Sequence, residues 1–398
     1  MSRAGKLADL NIDGAIEVIE KGSFQRQAAL MFLGVFSLIS LILGNKRKLH
    51  PDKKIIFFLL GYISLIILSI YWSENRFLTF KRVIVFCFMA FGAFAMAKKL
   101  TLRQLAQLTF CYCWITLAVS IGTELYLNTL RVTDPTWRFS GVIHPVAQGW
   151  NCGLLIISSL YLSRPPGKIN FWYFISVLSG LIFLILTKSR MPMLSALVGA
   201  SLIFILTSRH SARIRMFIFS CFIVFFLGFT YLFALIFPSV QDEVSGSIAY
   251  MISYGRSQDD FLKTTSLSGR IPVWKVCFDY IAQKPLLGYG YNIYNDRNFM
   301  RKISDNAQWA ATTTHSGYIS TALGQGFIGL FFLIATLILF LKKGVSIANK
   351  DPYYAFAPAV LAWLIINITL ETAVITDPIF PTFLVMIVFA KLSFREIT

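Results

Sequence analysis

The sequence predicts an all-α polytopic membrane protein with about 11–12 transmembrane helices and one large polar loop that contains amphipathic helices. Three observations lead to this fold class. Of the 398 residues, 56% are hydrophobic and only 14% are charged, whereas about 25% of a typical soluble domain is charged. The apolar residues are gathered into stretches near the length of about 20 residues that a membrane-spanning helix needs. Only one long segment, 239–314, is polar. These features exclude a soluble enzyme, a disordered protein and a disulfide scaffold.

Eleven apolar stretches make up the predicted spans. In chain order they are 28–44, 54–72, 83–97, 104–125, 146–163, 170–187, 191–207, 216–238, 316–341, 354–370 and 376–390. The tail that precedes them lacks the apolar core of a signal peptide, and an interfacial helix is one interpretation of it. The predicted division is therefore a tail (1–27), transmembrane helices (28–238), a large loop (239–314) and C-terminal transmembrane helices (315–392).

Lysine and arginine in the short loops predict which way the spans run, because basic loops remain in the cytoplasm. One set of connections holds 18 of these residues and the opposite set holds seven. The richer set should be cytoplasmic, so the large loop faces outward. An odd number of spans would place the basic N-terminal tail outside, whereas twelve spans would place both termini inside. The formal net charge of +18 follows from these flanking residues and does not indicate a nucleic-acid partner.

The large loop contains a candidate amphipathic helix over residues 270–285. Its apolar side chains recur at helical spacing, namely Ile271, Val273, Trp274, Cys277, Phe278 and Ile281. A long loop with its own helix is more often functional than a linker. Five of the six cysteines lie inside apolar stretches, so we expect no disulfide framework.

Four polar side chains are candidates for chemistry. His315 follows three threonines and is either a general base, because histidine titrates near neutral pH, or an interfacial helix cap. Arg190 follows Thr187-Lys188-Ser189, and an arginine so close to hydrocarbon either faces a wet or paired site or snorkels to the interface. Arg270, which opens the loop helix, suits phosphate binding unless it is an ordinary exposed residue. Arg138 is a weaker candidate of the same kind.

Several motifs that would indicate other chemistry are absent from the sequence. There is no Asp-x-Asp, no His-x-x-x-His and no Cys/His cluster of metal-ligand spacing. There is also no phosphate-binding loop of the Walker type and no dinucleotide-binding glycine pattern. We therefore expect neither a metal nor a nucleotide cofactor.

Taken together, these residues resemble the bacterial O-antigen ligase family, within the O-antigen ligase/polymerase superfamily. That family has a His, then Asn, Ser or Gln, nine residues, Gly, two residues, and Gly, Thr or Tyr. The chain matches this with His315-Ser316, Gly326 and Gly329. Two arginines of the chain also match the family's pattern. Arg190 follows a polar run, and Arg270 opens a loop helix that contains Trp274. The segment Gly288-Tyr289-Gly290 looks like the superfamily's Gly-x-Gly segment.

The resemblance implies a periplasmic glycosyltransferase of the cell inner membrane, active without metal or cofactor. The donor would be an undecaprenyl-diphosphate-linked O-antigen, and the acceptor would be a sugar hydroxyl of lipid A–core. The reaction would produce lipopolysaccharide and invert the anomeric centre. His315 would be the general base, and Arg270 and Arg190 would bind the diphosphate. The further substrate-binding residues would be Arg138, Lys188, Ser316, Trp274 and Tyr289.

Three other functions are compatible with parts of the sequence. A polymerase of the same superfamily would use the same donor but a lipid-linked acceptor. Protein O-glycosyltransferases are related, but they are usually longer at the C-terminus. A membrane transporter is a different class, and the shortage of ionisable residues inside the spans disfavours ion coupling.

Overall fold

The computed structural model describes residues 24–43, 50–132, 134, 137–163, 171–207, 270–307 and 313–395. Within these ranges the chain is almost entirely α-helical. It divides into two compact units. The first comprises the described residues of 102–269 together with 348–359, and the second comprises those of 7–101, 270–347 and 360–398.

The part of the first unit that the structure describes contains four long helices. They are α4 (Leu102–Tyr126), α5 (Pro145–Leu162), α6 (Phe171–Leu186) and α7 (Arg190–Thr207). Helix α5 packs against the other three, so nearly every residue from Gln148 to Leu162 is buried. Small residues let these helices approach closely; a Cβ at Gly180 would lie 2.9 Å from Cγ1 of Ile156.

The second unit contains the other helices of the described chain. They are α1 (Phe24–Leu43), α2 (Lys53–Trp72), α3 (Arg76–Lys99), α8 (Arg270–Gln283), α9 (Arg297–Ala307), α10 (Gly317–Lys350), α11 (Phe356–Leu370), α12 (Ala373–Thr376) and α13 (Phe380–Ser393). The last residues of α10 and the first of α11 are grouped with the first unit. Two-residue strands, β1 (His50–Pro51) and β2 (Phe394–Arg395), pair antiparallel. Beside them, Lys343 Nζ lies 3.2 Å from Asp52 Oδ2.

The helices have the length and composition of membrane spans. Among the described residues, six are long and apolar enough to cross a bilayer, and three shorter apolar helices accompany them. Large apolar side chains are exposed on their surfaces, among them Phe32 (73%), Phe57 (63%) and Phe171 (68%), which indicates contact with lipid rather than water. The predicted fold class, an all-α polytopic membrane protein, is confirmed.

Ten of the eleven predicted spans coincide with a helix. The predicted span 216–238 and nearly all of the predicted tail 1–27 lie outside the described residues. Helix α3 begins at Arg76, seven residues before the predicted stretch, and Asn75 caps it by accepting a hydrogen bond from the Leu78 N–H at 3.0 Å. Because lysine and arginine are good helix formers, α3 continues through residues that hydrophobicity alone excludes.

The described part of the polar loop and residues of α10 form a small hydrophobic core. The predicted loop helix is present as α8, and Val273, Cys277 and Ile281 are buried at a spacing of four residues. They pack with residues of α9 and with Leu323 of α10. Ile271 and Phe278 were predicted to belong to the same apolar face of this helix, but they are 46% and 54% exposed. Burial raises the pKa of the Cys277 thiol to about 12.

Candidate active site

Arg270 occupies the first position of α8 and is paired with a carboxylate. Its Nη2 lies 3.2 Å from Oε1 of Glu371, which directly follows α11. The two side chains are only 18% and 14% exposed. A hydrogen bond between two charged groups is directional as well as attractive. Glu371 therefore orients the Arg270 guanidinium.

Three threonine and serine residues connect α8, the loop before α10 and the segment after α11. Trp274, one turn after Arg270, donates its indole N–H to the Thr314 carbonyl at 2.8 Å. The hydroxyls of Thr314 and Thr372 are 2.9 Å apart, and the Ser316 N–H donates to Oγ1 of Thr372 at 3.1 Å. We call Arg270, Trp274, Thr314, His315, Ser316, Glu371 and Thr372 the His315 cluster. It contains one hydrogen-bonded set, Trp274, Thr314, Ser316 and Thr372. His315 lies between two members of that set in the chain, and Glu371, the partner of Arg270, directly precedes a third.

His315 has a left-handed backbone conformation inside this cluster. Its φ is +51°, which is uncommon for a residue other than glycine. The half-buried His315 donates its backbone N–H to the Thr313 hydroxyl at 3.3 Å. The next residue, Ser316, accepts the Ile319 N–H at 3.4 Å, so Ser316 caps α10 in the usual manner. Backbone strain of this kind is often found at functional sites.

The two glycine motifs of the sequence meet at a kink in α10. Gly326 has φ +67° and ψ −171°, and the Phe327 N–H donates to the Pro285 carbonyl at 2.7 Å. The N–H groups of Tyr289 and Gly290 donate to the carbonyls of Leu323 and Gly324 at 2.9 and 2.8 Å. A side chain at Gly326 would clash with the Leu286 carbonyl. The glycines are therefore needed where the loop backbone docks on the broken helix.

Tyr289 lies in the core of the loop. It is 2% exposed and donates its hydroxyl to the Tyr280 carbonyl at 3.0 Å. Its ring packs against Phe299, and the Lys284 ammonium lies 4.4 Å from the ring centroid. Burial raises the Tyr289 pKa, and the negative charge of Glu74 adds to this effect. These contacts favour a packing role for Tyr289.

Arg190, Lys188 and Arg138 belong to the first unit. Arg190 is half-buried at the start of α7, and Lys188 in the preceding turn has φ +49°. Arg138 binds this turn: its Nε donates to the Thr187 carbonyl and its Nη2 to the Ser189 hydroxyl, both at 2.9 Å. The Phe139 N–H donates to the Leu186 carbonyl at 2.9 Å. Arg138 therefore holds the segment that presents Arg190.

Glu124 in turn holds the loop that carries Arg138. Its carboxylate is buried at the end of α4, with 4% exposure. It accepts hydrogen bonds from the Gly141 N–H at 3.0 Å, from the Thr129 hydroxyl at 2.6 Å, and from the Ser140 N–H and hydroxyl at 3.3 Å. This set of donors compensates the burial of a charge.

Residues 174–334 match the family model described as O-antigen ligase. The matched segment is 161 of the 398 residues, about two fifths of the chain, and shows a likeness to that family. Members of this family are membrane enzymes that transfer glycans, as ligases or polymerases, and the family implies lipid-linked polysaccharide substrates. No curated protein was found to match the chain.

The O-antigen ligase match contains most of the candidate residues. Arg190, Lys188, Arg270, Trp274, Tyr289, His315 and Ser316 lie within it, as do Gly326 and Gly329. Arg138, Glu124, Glu371 and Thr372 lie outside it. The chain is a multi-pass membrane protein, and these four residues make their contacts from outside the matched segment.

Sequence reasoning missed Glu371 and Thr372 as members of the site. One signal was available, since Glu371 is a carboxylate at the end of an apolar stretch and such residues are costly unless paired. The partner could not be deduced, because Arg270 is 101 residues away in the chain. Nothing in the sequence marks Thr314 or Thr372 as a site residue, since hydroxyl residues are frequent near the ends of spans.

Proposed function

We propose that the protein is an O-antigen ligase. It would transfer a glycan from undecaprenyl diphosphate to a sugar hydroxyl of lipid A–core at the periplasmic face of the inner membrane. The observation that carries the proposal is the position of the complete His315-Ser316, Gly326, Gly329 motif. The residues on either side of the motif's histidine, Thr314 and Ser316, are hydrogen-bonded to Thr372. Thr372 directly follows Glu371, the partner of Arg270.

The proposed role of Arg270 is to stabilise the diphosphate leaving group. A guanidinium offers several donors in one plane and remains charged at all relevant pH values. The negative charge on the leaving diphosphate grows as the glycosidic bond breaks, so a fixed cation favours the transition state over the bound donor. By the family resemblance, Arg190 at the start of α7 is proposed as a second cation. Lys188 in the preceding turn would contribute binding.

The proposed role of His315 is to take the proton from the acceptor hydroxyl. The hydroxyl oxygen then attacks the anomeric carbon of the donor from the side opposite the diphosphate. The carbon–oxygen bond to undecaprenyl diphosphate breaks with its electron pair, and the configuration is inverted. Neither a metal nor a nucleotide is needed in this scheme, because Arg270 and Arg190 supply the positive charge.

The other residues suggested as substrate ligands have contacts that favour positioning roles. Trp274 binds the carbonyl that precedes His315, and Ser316 caps the helix that follows it. Arg138 binds the turn before Arg190. We therefore propose that these three act on the substrate through the residues they hold.

A polysaccharide polymerase is the second candidate function. It would use the same donor, the same arginines and the same base, and would differ in the acceptor. The full match to the His-Ser motif favours the ligase. A transporter is a more remote alternative, in which His315 would not be needed for turnover.

A reconstituted transfer assay tests the proposal. The purified protein is mixed with undecaprenyl-diphosphate glycan and truncated lipopolysaccharide in the presence of EDTA. We expect a lipopolysaccharide ladder from the parent and from Arg297→Ala, which removes an exposed loop arginine, but not from Arg270→Ala. Longer lipid-linked glycan without lipopolysaccharide would assign a polymerase, and loss of product in EDTA would contradict the metal-independent scheme.

A further inference from the structure

A cavity of about 360 Å³ lies within the second unit. Its walls come from α2, α3, α10, α11 and α13, together with residues such as Tyr291 from the loop. None of the described residues that line it is charged, and most are aliphatic or aromatic, for example Ile63, Leu333 and Phe389. No member of the His315 cluster lines it. The cavity is therefore a separate space, suited to hydrocarbon rather than to a sugar.

A cation lies beside one end of this cavity. A much smaller cavity shares Phe86 and Tyr291 with it and is also lined by Arg82 and Thr376. On α3, Arg82, Phe86 and Ala90 are four residues apart, so they follow one another along one face of the helix. The face thus begins with a guanidinium and continues with the apolar wall of the cavity.

A cation next to an apolar cavity is the arrangement expected of a phospholipid site. We infer that the cavity holds one hydrocarbon chain of a bilayer phospholipid whose phosphate is bound by Arg82. Guanidinium binds phosphate through several directed hydrogen bonds. Water is a poor occupant, because a buried water needs two to four polar partners and the lining offers few polar groups.

The size of the cavity favours a phospholipid over a polyprenyl lipid. The volume of about 360 Å³ is about 12 times the roughly 30 Å³ that one water molecule takes up in the liquid. That is close to a single fatty-acyl chain. A polyprenyl chain is several times longer and would leave most of its length outside. The inference depends on the membrane fold and not on the proposed transfer reaction.

Lipid analysis of the purified protein tests the inference. After washing in mild detergent, the parent should retain about one phospholipid per chain. Ala93→Phe, which fills the cavity from a residue that is 1% exposed, should retain far less, because extra volume blocks the chain. Ile84→Phe is the matched control, since Ile84 lies on the same helix and is 36% exposed; it should retain the lipid. Equal phospholipid in the parent and Ala93→Phe, or recovery of polyprenyl lipid only, would overturn the inference.

The headgroup contact is tested separately, so that a poorly folding Ala93 variant does not decide the result. Added phosphatidylglycerol should raise the unfolding temperature of the parent. Arg82→Gln should weaken its apparent affinity about tenfold, the effect of losing one charge-assisted hydrogen bond. Lys81→Gln is the control, because the Lys81 ammonium lies over the Phe77 ring, 4.3 Å from its centroid, and this change should have little effect. Equal shifts in all three proteins would overturn the role of Arg82.

Discussion

At the scale of single residues, Arg138 is the residue proposed to position the turn before Arg190. Two of its nitrogens bind the Thr187 carbonyl and the Ser189 hydroxyl. Lysine has the same charge but only a compact ammonium group, so it cannot reproduce both bonds from one planar fork. The geometry of the turn before Arg190 therefore depends on the guanidinium and not on the charge alone.

We predict that Arg138→Lys lowers transfer activity about tenfold, since one charge-assisted hydrogen bond contributes about 1.5–3 kcal/mol. Arg131→Lys, in an exposed part of the same loop, should leave activity unchanged. The measurement is the initial rate in the transfer assay at saturating donor. Full activity in Arg138→Lys would show that charge is sufficient at this position.

His144 provides a pH-dependent prediction. It caps α5, where Nδ1 accepts the Val146 N–H at 3.3 Å. His144 keeps an exposed surface, but the protein packed around it partly desolvates the imidazole and lowers its pKa, and the positive charge of Arg138 lowers it further. The folded state therefore prefers the neutral imidazole, whereas the unfolded chain binds a proton near the usual value of about 6.5. The stabilising contribution is fully present above that pH and is lost as the pH falls through the lower folded-state pKa.

The unfolding temperature of the parent should thus fall between pH 7 and pH 5 by more than that of His144→Asn. Asparagine is a good helix cap that does not titrate in this range. The comparison uses thermal unfolding of both proteins at the two pH values. Parallel pH profiles would contradict the assigned protonation state of His144.

At the scale of elements, the positions of the spans could be predicted but several of their ends could not. The apolar stretch 316–341 becomes a helix that continues to Lys350, because lysine ends a hydrophobic run without ending a helix. The kink at Gly326 was also not predicted from the sequence. The sequence contains the glycines, but only the docking of residues 285–290 on α10 shows why they are needed.

We predict that Gly326→Ala destabilises the protein by about 3 kcal/mol or more, because it combines a forbidden backbone conformation with a backbone clash. Gly122→Ala is the matched control: Gly122 lies in α4, and nothing lies within 4 Å of the added Cβ. Thermal unfolding in detergent measures both. A small effect at Gly326 would mean that the kink can relax without loss of stability.

At the scale of the whole molecule, composition was sufficient for the fold class, because so few charged residues cannot cover a soluble protein. The candidate site was predicted in part. His315, Arg270 and Trp274 were singled out by the resemblance, and the structure places them in one cluster. Glu371, Thr372 and Glu124 could not be assigned, since their roles come from partners distant in the chain or from backbone donors. Hydrophobic periodicity carries no information about such contacts.

The most direct test of the account separates donor binding from turnover. Arg270 is proposed to bind the diphosphate, and His315 is proposed to take the acceptor proton. Binding of undecaprenyl-diphosphate glycan and single-turnover transfer are therefore measured on the parent, Arg270→Ala and His315→Ala. We predict that His315→Ala binds the donor as the parent does but transfers at least about 100-fold more slowly, as expected for loss of a general base. We predict that Arg270→Ala loses donor affinity as well. Transfer at the parental rate by His315→Ala would contradict the central claim.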